Sequence, residues 1–348
     1  MYFYDKNIHV IIVDNLDVSQ HFWCNDAILF EVVNGKGALK WNTQHIDDSS
    51  YGDRYLSELL LNDKPILQVN QPGCPTCAGL LAVGYGIENL KCAELNAIAD
   101  KANEPYKDLE QAFTTILPLL GLLKNGLYVL ADCTVFPSDG EGHFFWNVPN
   151  ELTENATTAE LVTRVDDGYD CISGIPAFLY PSQGTDNFDL ERTEYYKNLL
   201  YDRSEYDKDR DTIIYNKSTF PRAIAYFCNS LSSILLDGHH KTAACAYLEE
   251  DVPCLVIMPY TAYSEETIYF GSIEVQRSKL TNEQNAYYYE YHSVNLKNRV
   301  SLKNYGIIKR EWEKGYKDSH RHFPTVHEFS ETVAKTYWSE DENDEGEH

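Results

Sequence analysis

Between two apolar runs the chain reads Leu235-Leu236-Asp237-Gly238-His239-His240-Lys241-Thr242-Ala243-Ala244. An acid, a glycine, two imidazoles, an ammonium and a hydroxyl follow one another where a strand gives way to a helix. A helix N-terminus presents backbone N–H groups and the positive end of the helix dipole, so it favours an anion. Gly238 allows close approach of a ligand to the backbone. His239, His240 and Lys241 add donors, and Thr242 a hydroxyl, so phosphate is the natural guest. Asp237 supplies a carboxylate that can hold Mg2+ or accept a proton. The plainer reading is a helix start whose histidines hydrogen-bond within the fold and whose aspartate shapes the turn.

The second candidate is Cys74-Pro75-Thr76-Cys77, which stands between a strand-like run, Pro65 to Val69, and an apolar run that reads as a helix from Cys77 to Tyr85. A helix start stabilises a thiolate, so Cys74 and Cys77 in this C-x-x-C spacing can form a dithiol redox pair. They can equally supply two zinc ligands, although no second C-x-x-C or H-x-H stands at a usual distance to complete the site. The third reading is a tight turn packed with small residues. Nine cysteines in 348 residues is an odd and sparse count for a secreted disulfide scaffold. Cys228, Cys245 and Cys254 lie in apolar settings and read as small buried hydrophobes. His320, His322 and His327 read as a solvated run ahead of a last helix rather than as a metal tract.

The elements that must position these groups mix strands and helices, so the expected class is α+β (mixed α/β). Val10 to Val13 and Ala27 to Val33 read as strands, with Asn34-Gly35-Lys36-Gly37 as a hairpin signal into Ala38 to Trp41. Arg54 to Leu61 follows a helical spacing, Cys92 to Ala102 reads as a helix, and Tyr106 to Lys124 as a helix interrupted at Pro118. Leu127 to Phe136 and His143 to Val148 read as strands around a glycine loop, with a helix near Ala159 to Val165 and a strand at Ile175 to Tyr180. Leu190 to Lys217 reads as an exposed helix pair or an insertion. Thr219-Phe220-Pro221 suits the opening of a helix running to about Asn229. Ser233 to Leu236 and Cys254 to Met258 read as strands flanking the helix Thr242 to Glu249.

Residues 235–244, followed by Val252-Pro253-Cys254-Leu255-Val256-Ile257, resemble the Asp-Gly-His-His-Arg signature of ParB/sulfiredoxin-like domains over Pro221 to Pro259. The resemblance implies a fold in which the glycine–basic stretch holds nucleotide phosphates, in a superfamily of partition proteins, sulfiredoxins and free-serine kinases. Lys241 stands where the signature has Arg, a point charge in place of a bidentate fork. Sulfiredoxins place a catalytic Cys where this chain has His239, so that chemistry is not implied here. The expected organisation is an α+β unit over 1–183 with the Cys-Pro-Thr-Cys turn, a ParB/sulfiredoxin-like unit over 184–338, and an acidic tail over 339–348. The expected function is binding of a nucleotide, with Mg2+, or another phosphoester at Asp237 to Thr242. Phosphotransfer or nucleotide hydrolysis is the enzymatic option, with Asp237, His239 and His240 in catalytic roles. A non-catalytic scaffold and a dithiol oxidoreductase are the alternatives.

The balance of 54 acids against 29 bases, a net charge of −25, argues against a reader of phosphate backbones and disfavours an anionic membrane surface. The first residues do not read as a secretory signal, and the longest apolar run, Ile116 to Leu123, contains Pro118 and Gly121 and falls far short of the ~20 residues a spanning helix needs. A cytoplasmic protein with a small phosphorylated partner, and with neither a nucleic acid nor a membrane as partner, is the expectation.

Overall fold

Three apolar runs, 27–30, 127–131 and 254–258, are buried, and they pair side by side at the centre of one sheet. The computed structural model describes residues 2–3, 7–48, 52–72, 79–83, 87–137, 174–183, 187–202, 204–208, 211–229, 232–287 and 299–300. Its first half contains β1 (Tyr2–Phe3), β2 (His9–Leu16), β3 (Cys24–Val33), β4 (Leu39–Asp48), β5 (Gly52–Leu61), β6 (Lys64–Pro72) and β7 (Gly79–Val83). Then come helices α1 (Ala93–Ala102), α2 (Leu109–Thr115) and α3 (Leu117–Leu120), and strands β8 (Gly126–Val135) and β9 (Phe178–Tyr180). The second half contains α4 (Leu190–Tyr201), β10 (Ser204–Asp207), β11 (Thr212–Tyr215), β12 (Ala223–Asn229), β13 (Ser232–Asp237), α5 (His239–Tyr247) and β14 (Val252–Pro259). Short strands β15 (Ala262–Tyr263), β16 (Thr267–Phe270), β17 (Ile273–Gln276) and β18 (Arg299–Val300) follow. The mixture of helices with a mixed sheet is α+β, as the sequence led us to expect.

The main sheet has eight strands in the order β1-β2-β3-β8-β14-β12-β13-β9. It is antiparallel except for two parallel pairs, β14 with β12 and β13 with β9. The unit β13–α5–β14 therefore leaves the sheet at β13 and returns one strand further in, with β12 between. A second sheet has the order β18-β4-β5-β6-β7, antiparallel from β4 to β7 with β18 parallel to β4, and α4 packs on α5. Among the described residues no helix is long and apolar enough to cross a membrane.

The boundary expected at 183/184 does not divide the main sheet. β8 from one side and β14 from the other pair along their whole lengths, Val252 opposite Val135 and Pro259 opposite Tyr128. Apolar strands buried on both faces need neighbours on both edges, and these two supply each other's.

Several local expectations are corrected. Arg54 to Leu61 is strand β5, whose turn into β6 places Asn62 and Asp63 at positive φ, 52° and 61°. That is the backbone of a two-residue hairpin, and the ladder it starts overrides the helical spacing. Residues 79–83, expected within a helix, pair with β6 as β7. Asn34 to Gly37 is not a hairpin: β4 belongs to the other sheet, and the Lys36, Gly37 and Leu39 N–H groups donate to the carbonyls of Gly121, Leu123 and Leu122. Ala223 to Asn229 is strand β12, not a helix. Its residues through Cys228 are buried, and β13 and β14 flank it. The charged stretch after 190 is one helix, α4, followed by the hairpin β10–β11. The helix expected at Tyr106 to Lys124 is split into α2 and α3, with Pro118 in the first turn of α3.

Candidate functional site

Strand β13 ends at Asp237 and α5 begins at His239, so the whole reversal falls on Gly238. Its φ of 97° lies in the left-handed region that favours glycine. A Cβ there would come 2.9 Å from the Ala223 Cα at the start of β12. Conformation and space both demand glycine. The first bond of α5 runs from Thr242 N–H to Gly238 O at 2.9 Å, and the Thr242 hydroxyl donates to the same oxygen at 3.1 Å. Gly238 offers no side-chain cap, so the N–H groups of the first turn point out of the helix end without an intrahelical acceptor.

The two histidines are buried and hold the segment that precedes α4. Ser182 N–H and Gln183 N–H both donate to His239 Nε2, each at 3.0 Å. An Nε2 that accepts leaves the ring proton on Nδ1. Asp189 N–H donates to His240 Nε2 at 3.0 Å, and the Asn187 carbonyl oxygen lies 3.1 Å from the same atom. Phe188 stacks on the His240 ring at 6.4 Å. Burial, and then each other's company, drives the His239 pKa well below its ordinary value. Burial, and then the Arg192 charge, lowers His240 to about 4. Both rings are neutral acceptors at neutral pH. They fasten the two ends of the segment 182–189, which spans the boundary expected at 183/184.

Lys241 is only 1% exposed. Its Nζ donates to the Ala102 carbonyl at 2.7 Å and to the Arg222 carbonyl at 3.1 Å, with Asp237 Oδ2 at 3.8 Å. Burial lowers its pKa and the Asp237 charge opposes that shift. Ala102 is the last residue of α1, so the ammonium sits at the negative end of that helix dipole. The motif thus joins α1, the start of β12 and the approach to α4.

Beside the turn lies a pocket of about 70 Å³ lined in part by Asp237, Gly238, His239, His240 and Lys241. The remaining walls come from Gln183, from Arg192 and Tyr196 of α4, and from Ala99 and Asn103 at the end of α1. Tyr196 OH donates to Asn103 Oδ1 at 2.9 Å, tying the two helices together across it. Arg192 follows directly from the motif: His240 fixes Asp189, whose side chain caps α4 by accepting from Arg192 N–H at 3.1 Å. Tyr106 stands nearby, with burial as the main cause and the Asp237 charge as the second pushing its hydroxyl pKa up. That hydroxyl is buried and has no hydrogen-bond partner among the described residues. Sequence reading missed Arg192, Tyr196, Asn103 and Tyr106. Only the Asp189 cap ahead of a helical run could have drawn attention to Arg192.

The expected dithiol or zinc pair, Cys74 and Cys77, lies outside the described residues, as do His320, His322 and His327. Cys24, Cys133 and Cys254 face one another in register across β3, β8 and β14, all buried free thiols. Cys228, Cys245 and Cys254 are buried as expected, and burial pushes the Cys245 thiol up to about 12. Among the described residues no group of three or more His, Cys, Asp or Glu could hold a metal ion. The expected Mg2+ would have Asp237 as its protein ligand, with phosphate oxygens and water supplying the rest, a usual arrangement for that ion. No protein-family model matches the chain, and no match was found among curated proteins or among solved structures.

Proposed function

We propose that the chain binds the phosphoryl group of a nucleotide or another phosphoester in the pocket at the start of α5. The observation that carries this reading is the start of α5 at Gly238, a glycine with no capping side chain, beside a small polar pocket that Arg192 also lines. Backbone N–H groups and a guanidinium converging on one small space form a phosphate cradle. The volume, about 70 Å³, suits a single phosphoryl group. A base and sugar would lie outside it, since sites for whole organic ligands run to ~300 Å³ or more.

Lys241 contributes field rather than contact, because its protons point at the carbonyls of Ala102 and Arg222. His239 and His240 shape the cradle by holding 182–189, and Arg192 takes the direct role. The resemblance of residues 221–259 to ParB/sulfiredoxin-like domains is consistent with such a turn. For phosphoryl transfer, Asp237 is the lining carboxylate suited to act as base or to share Mg2+ with the phosphate.

The test is the melting temperature of the full chain with ATP, ADP or CTP plus Mg2+, and with inorganic phosphate. A ligand that binds only the folded state raises it by mass action. A shift present in the parent and lost in Arg192→Ala supports the reading, and no shift with any of these at millimolar concentration overturns it. A second reading, a scaffold in which the motif serves folding alone, draws on the engagement of His239, His240 and Lys241 with backbone groups. That reading predicts no shift with any phosphate compound.

A further inference from the structure

The opposite end of the same strands holds a larger cavity. The turn at Gly238 adjoins the starts of β12 and β14, whereas this cavity of about 560 Å³ opens at Gly126 to Tyr128 of β8 and Pro259 at the end of β14. Its volume falls in the range of small-molecule sites, ~300–1,000 Å³. Its lining is rich in aromatic residues: Tyr128, Tyr226 and Phe270 are each at most 3% exposed, and Trp41 of β4 is half-buried. The inner rings are held firmly. Tyr128 stacks on Phe30 at 5.6 Å and its hydroxyl donates to the Lys124 carbonyl at 3.1 Å.

Charge gives the second part of the argument. The chain has 54 acids against 29 bases, yet the described residues lining this cavity include Lys40 and Lys124 and no carboxylate. Glu31 is not among the lining residues, and two that are, Tyr287 through its OH and Gln284 through Nε2, each donate to it at 2.9 Å. Lys40 pairs with Asp63 at 2.7 Å on the solvent side, where Asp63 is 83% exposed. Surface pairs of that kind are worth little and exchange easily. Rings that offer flat faces for stacking, with cations at the mouth, select a flat ring bearing a negative group.

We propose that this cavity is a ligand site, separate from the phosphoryl pocket, for a small planar aromatic anion of the aryl carboxylate class. The ring lies among Trp41, Tyr128, Tyr226 and Phe270, and the carboxylate faces Lys124 and Lys40 at the mouth.

The probe is 2-naphthoate, titrated calorimetrically into the full chain beside its uncharged isostere 2-naphthamide. The expected result is saturable one-site binding of naphthoate, with naphthamide roughly tenfold weaker, the ratio that 1.4 kcal/mol represents. Lys124→Ala should weaken naphthoate and leave naphthamide unchanged. Lys124 is exposed, so this variant tests the charge without disturbing the core. Asn42→Trp, placing a bulky ring on a partly exposed lining position, should block both probes while the melting temperature stays at the parent value. Absence of saturable naphthoate binding would overturn the proposal, as would equal affinity for the two probes. Naphthoate binding that persists unchanged in a folded Asn42→Trp protein would also overturn it. Millimolar inorganic phosphate should not displace naphthoate, and that arm separates this site from the one at α5.

Discussion

The Nζ of Lys241 lies 2.7 Å from the carbonyl oxygen of Ala102, so the most basic-looking residue of the turn is spent on the C-terminus of a helix 139 positions earlier in the chain. The same ammonium reaches the Arg222 carbonyl, and Asp237 sits 3.8 Å away. Removing it would leave the Ala102 and Arg222 carbonyls without their donor around a buried position, and the half-buried Asp237 without its cation. Lys241→Met should therefore destabilise the fold by about 3 kcal/mol, the scale for deleting one partner of a buried charged group. Lys241→Arg should not restore the parent, because a planar fork does not fit a closed site shaped for a point charge. Urea unfolding measures both, and a Lys241→Met midpoint equal to the parent's would contradict the hub role.

Gly238 should be the least replaceable residue of the turn. Gly238→Val meets strain at φ 97° and the Ala223 backbone at 2.9 Å. The conformational part alone costs ~1 kcal/mol or more. His239→Gln keeps an acceptor for Ser182 and Gln183 N–H and should cost less than His239→Ala, which leaves both unpaired at ~1–3 kcal/mol each. The order of melting temperatures, parent, then His239→Gln, then His239→Ala, checks the acceptor role directly.

Stability should fall on mild acidification. The pKa of His240 is lowered from 6.5 to about 4, and that of His239 is lowered well below its ordinary value, burial being the first cause of both. The unfolded chain therefore takes up protons that the folded chain refuses. The stabilisation is complete above about pH 6.5 and is lost as pH falls from there toward about 4. Protonation would turn His240 Nε2 from the acceptor of Asp189 N–H into a donor facing the Asn187 carbonyl. Melting temperatures of the parent and of His240→Gln between pH 7 and 4.5 test this: the parent should lose more, and parallel curves would contradict it.

Tyr106→Phe removes a buried hydroxyl that has no hydrogen-bond partner among the described residues. Deleting such a group should leave the unliganded protein as stable as before or slightly more so. If the phosphoryl ligand accepts from this hydroxyl, the variant should lose part of the ligand-induced shift while keeping its own melting temperature. A drop in unliganded stability above ~1 kcal/mol would instead show a structural role.

The strand–turn–helix unit at 232–247 was legible because its signals are local: an apolar run, an Asp-Gly pair and an alanine-rich stretch. Ala223 to Cys228 was misread because a strand buried on both faces is continuously apolar and lacks the alternation that separates strand from helix. Arg54 to Leu61 happened to match a helical spacing, and the telling residues were Asn62 and Asp63, which turn it back as a hairpin. The motif's residues could be named from sequence, but their work could not. Whether His239 and Lys241 face a ligand or hold the fold depends on Ser182, Gln183, Ala102 and Arg222. Those partners are set by sheet order rather than by neighbouring residues.

The central claim is that the first turn of α5 and Arg192 together hold a phosphoryl-sized anion. Crystals of the full chain soaked in tungstate, a heavy tetrahedral analogue of phosphate, test it most directly. The account predicts an anomalous peak between the Arg192 guanidinium and the N–H groups at the start of α5, absent in Arg192→Ala crystals. A well-ordered pocket without that peak, or a peak that persists unchanged in Arg192→Ala, would contradict it.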